Sequence, residues 1–175
     1  MFGQLRGVVR SRSGSAGVEF AFIVPIMLMM CAGVVEMGRL FQVYNATNRL
    51  ATQYAIVFSD CSDSPAGTCM AELNSLGSAS SISNIVPQLQ PSLLSLTIFQ
   101  VSVSGSAVTV VYSYPSGSTL TGGQVTAAQG VLTSGQSGVV VTATYNHTLQ
   151  FFQTLMTPYL ASVLTASYTA VQLKG

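Results

Sequence analysis

One acidic side chain, Glu19, stands at the mouth of an uncharged apolar run. Glu19 follows Gly14 by a few residues, and the run begins immediately after it, at Phe20. A charged group costs about 2.5–3.5 kcal/mol at the centre of a membrane helix on insertion scales, and less near the end of the helix. Ionisable residues in such places usually have a function, so Glu19 is the first candidate functional residue.

Catalytic chemistry has little support in the sequence. His147 is the only histidine and lies in a β-branched run without a carboxylate nearby in sequence, which predicts a surface or edge-strand histidine rather than a general base. No Gly-x-Ser-x-Gly nucleophile motif occurs. Asp60 and Asp63 allow a calcium loop, although solvated turn formers are the commoner interpretation. We therefore expect a protein that is not an enzyme, with no cofactor and no metal site.

The composition is that of a membrane-anchored, exported protein. Only 6% of the 175 residues are charged, against about 25% in typical soluble domains, and 49% are apolar. The formal net charge of +1 gives no electrostatic basis for binding nucleic acid. Arg6, Arg10 and Arg12 precede the apolar run without an acid among them. A basic flank of this kind keeps the N-terminus in the cytoplasm, so the rest of the chain is expected to be exported.

The pattern of the first sixty residues predicts a long helix. The uncharged run of residues 20–35 is slightly short for a bilayer, which needs about 20 helical residues, and extension to 15–37 reaches that length. Pro25 predicts a kink or a loosened turn. Apolar residues then recur at spacings of three and four, which predicts an amphipathic continuation to Phe58. These residues are Leu40, Tyr44, Thr47, Ala51, Tyr54 and Phe58.

The remainder of the sequence predicts a small antiparallel sheet. The alternating segments 97–103 and 107–114 flank a glycine-containing loop and predict a hairpin, and residues 139–149 and 163–173 predict two further strands. We expect a long loop over 115–138. The fold class is α+β, divided into a basic leader (1–14), a transmembrane helix (15–37), its extracytoplasmic extension (38–58) and an exported β-rich domain (59–175). Cys61 and Cys69 flank a short loop and predict a disulfide in an oxidising compartment; two free thiols are the alternative if the chain is not exported.

This layout resembles the type IV pilin-like proteins, and more narrowly the TadE-like family of the tight-adherence (Flp) pilus system. The resemblance rests on Gly14 followed by the Ser-Ala-Gly-Val-Glu-Phe-Ala run of residues 15–21, on Pro25, and on the Val-Glu-Met-Gly-Arg step of residues 35–39. It covers about residues 10–58 and is only architectural beyond them.

The resemblance implies a minor pilin or pseudopilin that a prepilin peptidase cuts after Gly14. Gly14, Ser15, Glu19 and Phe20 would then serve processing, and Glu19, Pro25, Glu36 and Arg39 assembly. Expected partners are other pilin subunits, the pilus assembly platform, the prepilin peptidase and the inner membrane. The protein would be single-pass in the inner membrane, with a cytoplasmic N-terminus and a periplasmic or extracellular C-terminal domain, and would reach the cell-surface pilus on assembly.

Elementary electrostatics supports a role for Glu19 in assembly. Cutting after Gly14 leaves an ammonium at Ser15, which can meet the Glu19 carboxylate of a neighbouring subunit and offset the cost of both charges in an apolar shaft. The alternative is an unpartnered Glu19 at the lipid headgroups. Glu36 and Arg39 either form an i,i+3 pair worth about 0.2–0.5 kcal/mol or mark the border of the membrane segment.

Two alternatives to a pilin remain open on the sequence. One is an uncleaved single-pass membrane protein whose β domain binds a partner or acts as an adhesin. The other is a cleaved secretory signal with a weak site at Cys31-Ala32-Gly33, although the helical stripe that continues past it does not suit a released soluble domain.

Overall fold

The chain folds into one long helix followed by a small sheet with further short helices. The computed structural model describes residues 13–60, 79–151, 153 and 164–174. In chain order the elements are helix α1 (Ser13–Ser59), helix α2 (Ala79–Ile85), a 3₁₀ turn (Pro91–Leu93), strands β1 (Leu94–Ser104) and β2 (Ala107–Tyr114), helix α3 (Gly122–Val131), and strands β3 (Ser137–Asn146) and β4 (Thr165–Leu173). The expected α+β architecture, a long N-terminal helix on a small antiparallel sheet, is confirmed.

Helix α1 has two halves with different surroundings. Its 47 residues give a length of about 70 Å at 1.5 Å per residue, and the helix continues without interruption through Pro25. The lower segment, residues 17–35, is exposed around almost its whole circumference. The upper segment, residues 36–59, buries one stripe against the sheet. The lower segment is long and hydrophobic enough to cross a membrane. A helix that is apolar on every face requires an apolar environment, and the rest of the described chain does not supply one to this segment.

The sheet has four antiparallel strands in the order β2-β1-β3-β4. The predicted β1–β2 hairpin is confirmed, with Ser104 paired to Ala107, and β3 and β4 are the two further predicted strands. Strand β3 pairs with β1 on one side and β4 on the other, so it lies inside the sheet.

Each face of the sheet supports a separate hydrophobic cluster, because successive residues of a strand point to opposite faces. The first face packs on α1 and α2 through a cluster that includes Leu50, Tyr54, Ile98 and Val141. The second face is covered in part by α3, whose Ala128 and following Leu132 meet residues such as Phe99, Val101 and Val140. The sheet is therefore the middle layer between α1 and α3.

The prediction of a long loop over residues 115–138 is wrong for the middle of this range, where helix α3 forms. Thr121 caps this helix: its hydroxyl accepts a hydrogen bond from the backbone N–H of Gln124 at 3.4 Å, and the Gln124 side chain accepts one from the Thr121 N–H at 2.8 Å. This reciprocal capping box satisfies two N–H groups at the start of the helix. Gln124 also donates to the Thr142 hydroxyl at 2.9 Å, which ties α3 to β3. The predicted disulfide between Cys61 and Cys69 lies outside the described residues.

Candidate functional site at the base of the sheet

The carboxylate of Glu36 is buried where the start of the upper segment of α1 meets the chain that follows β3. Only 7% of this residue is exposed. Its Oε1 accepts hydrogen bonds from two consecutive backbone N–H groups, Gln150 at 2.6 Å and Phe151 at 2.8 Å. Backbone donors to a carboxylate form charge-assisted bonds that are stronger than neutral ones. A residue of the membrane-proximal helix is thereby bound directly to the segment that follows β3.

Local packing explains why Glu36 meets this segment. Glu36 lies one helical turn before Leu40, on the stripe that α1 buries against the sheet. Leu40 packs with Leu149 and Leu164 in a small cluster of its own. The backbone N–H of His147 donates to the carbonyl of Leu164 at 2.8 Å, so the residues after β3 are held to the start of β4. These apolar and backbone contacts fix the two N–H groups under Glu36.

His147 belongs to the same site, which corrects the expectation of a surface or edge-strand histidine. The residue is 8% exposed, and its Nε2 lies 3.5 Å from Glu36 Oε2. The sequence showed no carboxylate near His147, but the fold supplies one from α1. His147 Nε2 and Glu36 Oε2 are therefore polar neighbours, and neither atom has a hydrogen-bond partner in the described part of the chain. The two backbone N–H donors join Glu36 to the residues after β3, so this contact is a structural junction between α1 and the β domain.

Glu36 and Arg39 make no contact within 4.0 Å among the ion pairs of the described residues, although the charge of Arg39 acts on the Glu36 carboxylate through space. Arg39 is half-buried, and its Nη1 has no hydrogen-bond partner in the described part of the chain. The alternative of a border marker stays a prediction, and Glu36 itself is bound to the residues that follow β3.

The residues predicted for processing lie far from this junction. Gly14 and Ser15 fall in the first turn of α1, and Glu19 and Phe20 are exposed on the lower segment. Glu19 and Glu36 are separated by about 26 Å along the helix at 1.5 Å per residue. The structure thus brings Glu36 together with His147 and leaves the processing residues at the other end of the apolar segment. The roles assigned to these residues stay predictions.

One signal in the sequence could have found the Glu36 site. The apolar stripe of the upper segment includes Leu40, and the position four residues earlier on the same face is Glu36. Extending the stripe back by one turn places the Glu36 carboxylate on the buried face. A buried carboxylate requires a hydrogen-bonding or charged partner. The partners themselves could not be found this way, because two of them are backbone N–H groups.

Metal binding finds no further support in the described ranges. Across residues 13–60, 79–151, 153 and 164–174, no group of three or more His, Cys, Asp or Glu side chains is placed to hold a metal ion. Of the two acids considered for calcium, Asp60 is exposed after the end of α1, and Asp63 lies outside the described residues.

Comparison with known proteins bears on the helix that carries the site. Residues 14–55 match the family model of TadE-like proteins. The resemblance found in the sequence is confirmed over this segment, which begins at Gly14 and includes Glu19, Glu36 and Arg39. No curated protein and no solved structure matches the chain.

The TadE-like match and the exposed apolar helix together indicate a membrane protein related to the tight-adherence pilus. Within the described residues one helix, near the N-terminus, is long and apolar enough to cross a membrane, which fits a single-pass protein. The β domain after residue 55 lies outside the matched residues, so its contribution must be argued from its own structure.

Proposed function

We propose that this protein is a minor pilin or pseudopilin of a tight-adherence pilus, a structural subunit rather than an enzyme. In this proposal a prepilin peptidase cuts the precursor after Gly14 in the inner membrane. The mature chain then joins other pilin subunits through α1, with the β domain on the extracytoplasmic side. The observation that carries the proposal is a TadE-like helix whose lower segment is exposed and apolar on nearly every face.

The exposure of the lower segment supports assembly through α1. Large apolar side chains lie on it at successive angles around the helix, and Phe22, for example, is 72% exposed. Lipid can cover this surface before assembly, and neighbouring helices can cover it in a filament, where small residues allow close approach. Gly33 is open to such packing: no other atom of the described chain lies within 4 Å of where its Cβ would be, so a neighbouring helix can approach the backbone there.

The first test is the intact mass and N-terminal peptide map of the protein extracted from membranes of its native cells. A mature chain that begins at Ser15 is expected. A Gly14→Leu variant should retain the leader, whereas Gly17→Ala is the matched glycine control, because Gly17 has open space for a Cβ. A wild-type chain that keeps residues 1–14 would contradict the proposal and favour an uncleaved membrane protein with a binding domain.

A second test addresses the proposed contact between Glu19 and the Ser15 ammonium of a neighbouring subunit, which would set the register of subunits in the filament. Glu19→Ala is expected to insert into the membrane normally and to fail to enter filaments, because the Ser15 ammonium of a neighbouring subunit would lose its partner. Immunoblots of sheared pilus fractions against membrane fractions measure the two steps separately. Glu19→Gln is the control that keeps size and polarity. If Glu19→Ala entered filaments at the wild-type level, the proposed contact between Glu19 and the neighbouring Ser15 ammonium would be contradicted.

A further inference from the structure

At the start of the upper segment, α1 turns its acid inward and its large apolar side chains outward. Glu36 is buried against the residues that follow β3, whereas Met37 and Phe41 are 57% and 67% exposed. In water the opposite arrangement is expected, because large apolar side chains gain free energy from burial and carboxylates lose it. The reversal favours an apolar environment around this part of the helix.

The chain after β3 adds a third exposed apolar side chain at the same level. The backbone N–H of Phe151 donates to Glu36 Oε1 at 2.8 Å, and Phe151 is 45% exposed. Met37 and Phe41 lie about 1.5 and 7.5 Å beyond Glu36 along α1 at 1.5 Å per residue. The side chains of Met37, Phe41 and Phe151, here called the collar, therefore occupy a band on the order of 10 Å tall.

The collar surrounds α1 and does not cover only one side of it. Glu36 faces the β domain, and Phe151 lies on that side with it. At about 100° per residue, Met37 and Phe41 point about 100° and 140° away from Glu36 around the helix. One neighbouring protein would cover one side of the helix, whereas a bilayer surrounds the helix at a single depth. The collar therefore fits a lipid surface better than a protein partner.

The length of the lower segment gives the depth of the collar. A hydrocarbon core about 30 Å thick takes about 20 helical residues. Counted from Phe20, where the uncharged run begins, they end at Arg39. Met37 then lies at the edge of the hydrocarbon, and Phe41 lies in the polar layer beyond it, which is roughly 5–7 Å thick. An exposed carboxylate is costly at the depth of Glu36, and enclosure of Glu36 by the β domain removes that exposure.

We propose that the collar of Met37, Phe41 and Phe151 enters the membrane interface, so that the part of the β domain that follows β3 rests among the lipid headgroups. The partner is the boundary between acyl chains and headgroups, where interfacial helices also bury Phe and Leu side chains. Contact at Phe151 would hold the sheet at a fixed distance from the bilayer. This proposal depends on membrane insertion of α1 and not on leader cleavage or pilus assembly.

The sequence contains no tryptophan, so a single introduced tryptophan reports the depth of its own position. The full chain is reconstituted at low density in phosphatidylcholine vesicles that contain lipids brominated either near the glycerol end or near the methyl end of the acyl chain. Phe151→Trp is expected to lose most of its emission with the first lipid and much less with the second. Leu28→Trp, at a 64% exposed position about 12 Å from Phe20 along α1, should show the reverse. Circular dichroism verifies the fold of each variant.

Val131→Trp is the matched control on the β domain. Val131 is 54% exposed at the end of α3, and the side chain of the next residue, Leu132, lies against Gly138 at the start of β3. Strand β3 is on the order of 30 Å long at 3.4 Å per residue, and Phe151 follows its other end. The emission of Val131→Trp should respond to aqueous acrylamide and to neither brominated lipid.

The outcomes separate failure of this proposal from failure of membrane insertion. If lipids quench Leu28→Trp but not Phe151→Trp, α1 is inserted and the proposal is overturned. If they do not quench Leu28→Trp, insertion itself is contradicted, and the collar with it. Equal quenching of Val131→Trp and Phe151→Trp also overturns the proposal, because the β domain would then contact lipid in no fixed orientation. If Phe151→Trp does not fold, Phe41→Trp replaces it with the same expected pattern, and lack of lipid quenching there has the same meaning.

Discussion

The lower and upper segments of α1 are parts of one helix that differ in what surrounds them. Residues 17–35 are exposed and apolar around almost the whole helix, whereas residues 36–59 bury a stripe of side chains against the sheet. Each segment carries a glutamate. Glu19 lies exposed on the lower segment, and Glu36 is enclosed by backbone N–H groups and His147.

This difference shows that the environment, and not the residue type, sets what an acid does in a helix. The cost of placing Glu36 in a buried position is already offset within the chain, so its contribution is to the stability of the β domain on α1. Glu19 lies on an exposed surface of the helix that lipid or another subunit can cover. Changes in the upper segment should therefore affect folding, and changes in the lower segment should affect assembly.

The largest expected difference is between the two glutamates. Glu36→Ala leaves two backbone N–H groups and His147 without their carboxylate, and loss of one partner of a buried charged contact typically costs about 3–5 kcal/mol. Glu19→Ala should leave the free energy of unfolding of the β domain unchanged. Denaturant titration in micelles, followed by tyrosine fluorescence, measures both. Equal effects of the two substitutions would mean that the segments do not differ as described.

A pair of leucines extends the comparison to apolar packing. Leu50 is fully buried in the upper segment, and Leu28 is 64% exposed in the lower one. Leu50→Ala is expected to lower the free energy of unfolding by about 3 kcal/mol, through lost burial and the cavity it leaves. Leu28→Ala should cost the isolated chain almost nothing. A large destabilisation by Leu28→Ala in the same titration would show that the lower segment is packed within the chain.

Much of the architecture followed from local sequence patterns. The spacing of Leu40, Thr47 and Tyr54 placed the upper segment on a buried face, as observed, although Tyr44 of the same predicted stripe is 41% exposed. The alternation of residues 97–103 and 107–114 defined the hairpin. These features depend on residues near one another in the chain, which is why periodicity could detect them.

Helix α3 and the Glu36 site did not follow from those patterns. The capping box of Thr121 and Gln124 was present in the sequence, but Gly122, Gly123 and Gly130 lower the helix propensity of this segment, and packing of Ala128 on the sheet outweighs that preference. Glu36 meets N–H groups 114 and 115 residues further along the chain. A backbone donor has no side-chain signature, so only the fold reveals the contact.

The smallest expected effect concerns Tyr54 of the upper segment at high pH. Burial, with a smaller contribution from the charge of Tyr114, raises the pKa of Tyr54 from 10.0 to about 12. Between these values the unfolded chain loses a proton that the folded chain keeps. The stability contributed by neutral Tyr54 is therefore complete below pH 10 and is lost as the pH rises towards 12.

The Tyr54 titration can be isolated with two matched variants. Unfolding of wild type, Tyr54→Phe and Tyr44→Phe is compared between neutral and alkaline pH in the same micelles. Tyr54→Phe should flatten the alkaline decline in stability, whereas Tyr44→Phe, at an exposed position of the same helix, should keep it. An unchanged decline in Tyr54→Phe would show that this side chain ionises as freely as an exposed one. The upper segment would then be less tightly packed on the sheet than its contacts with Phe58 and the first cluster indicate.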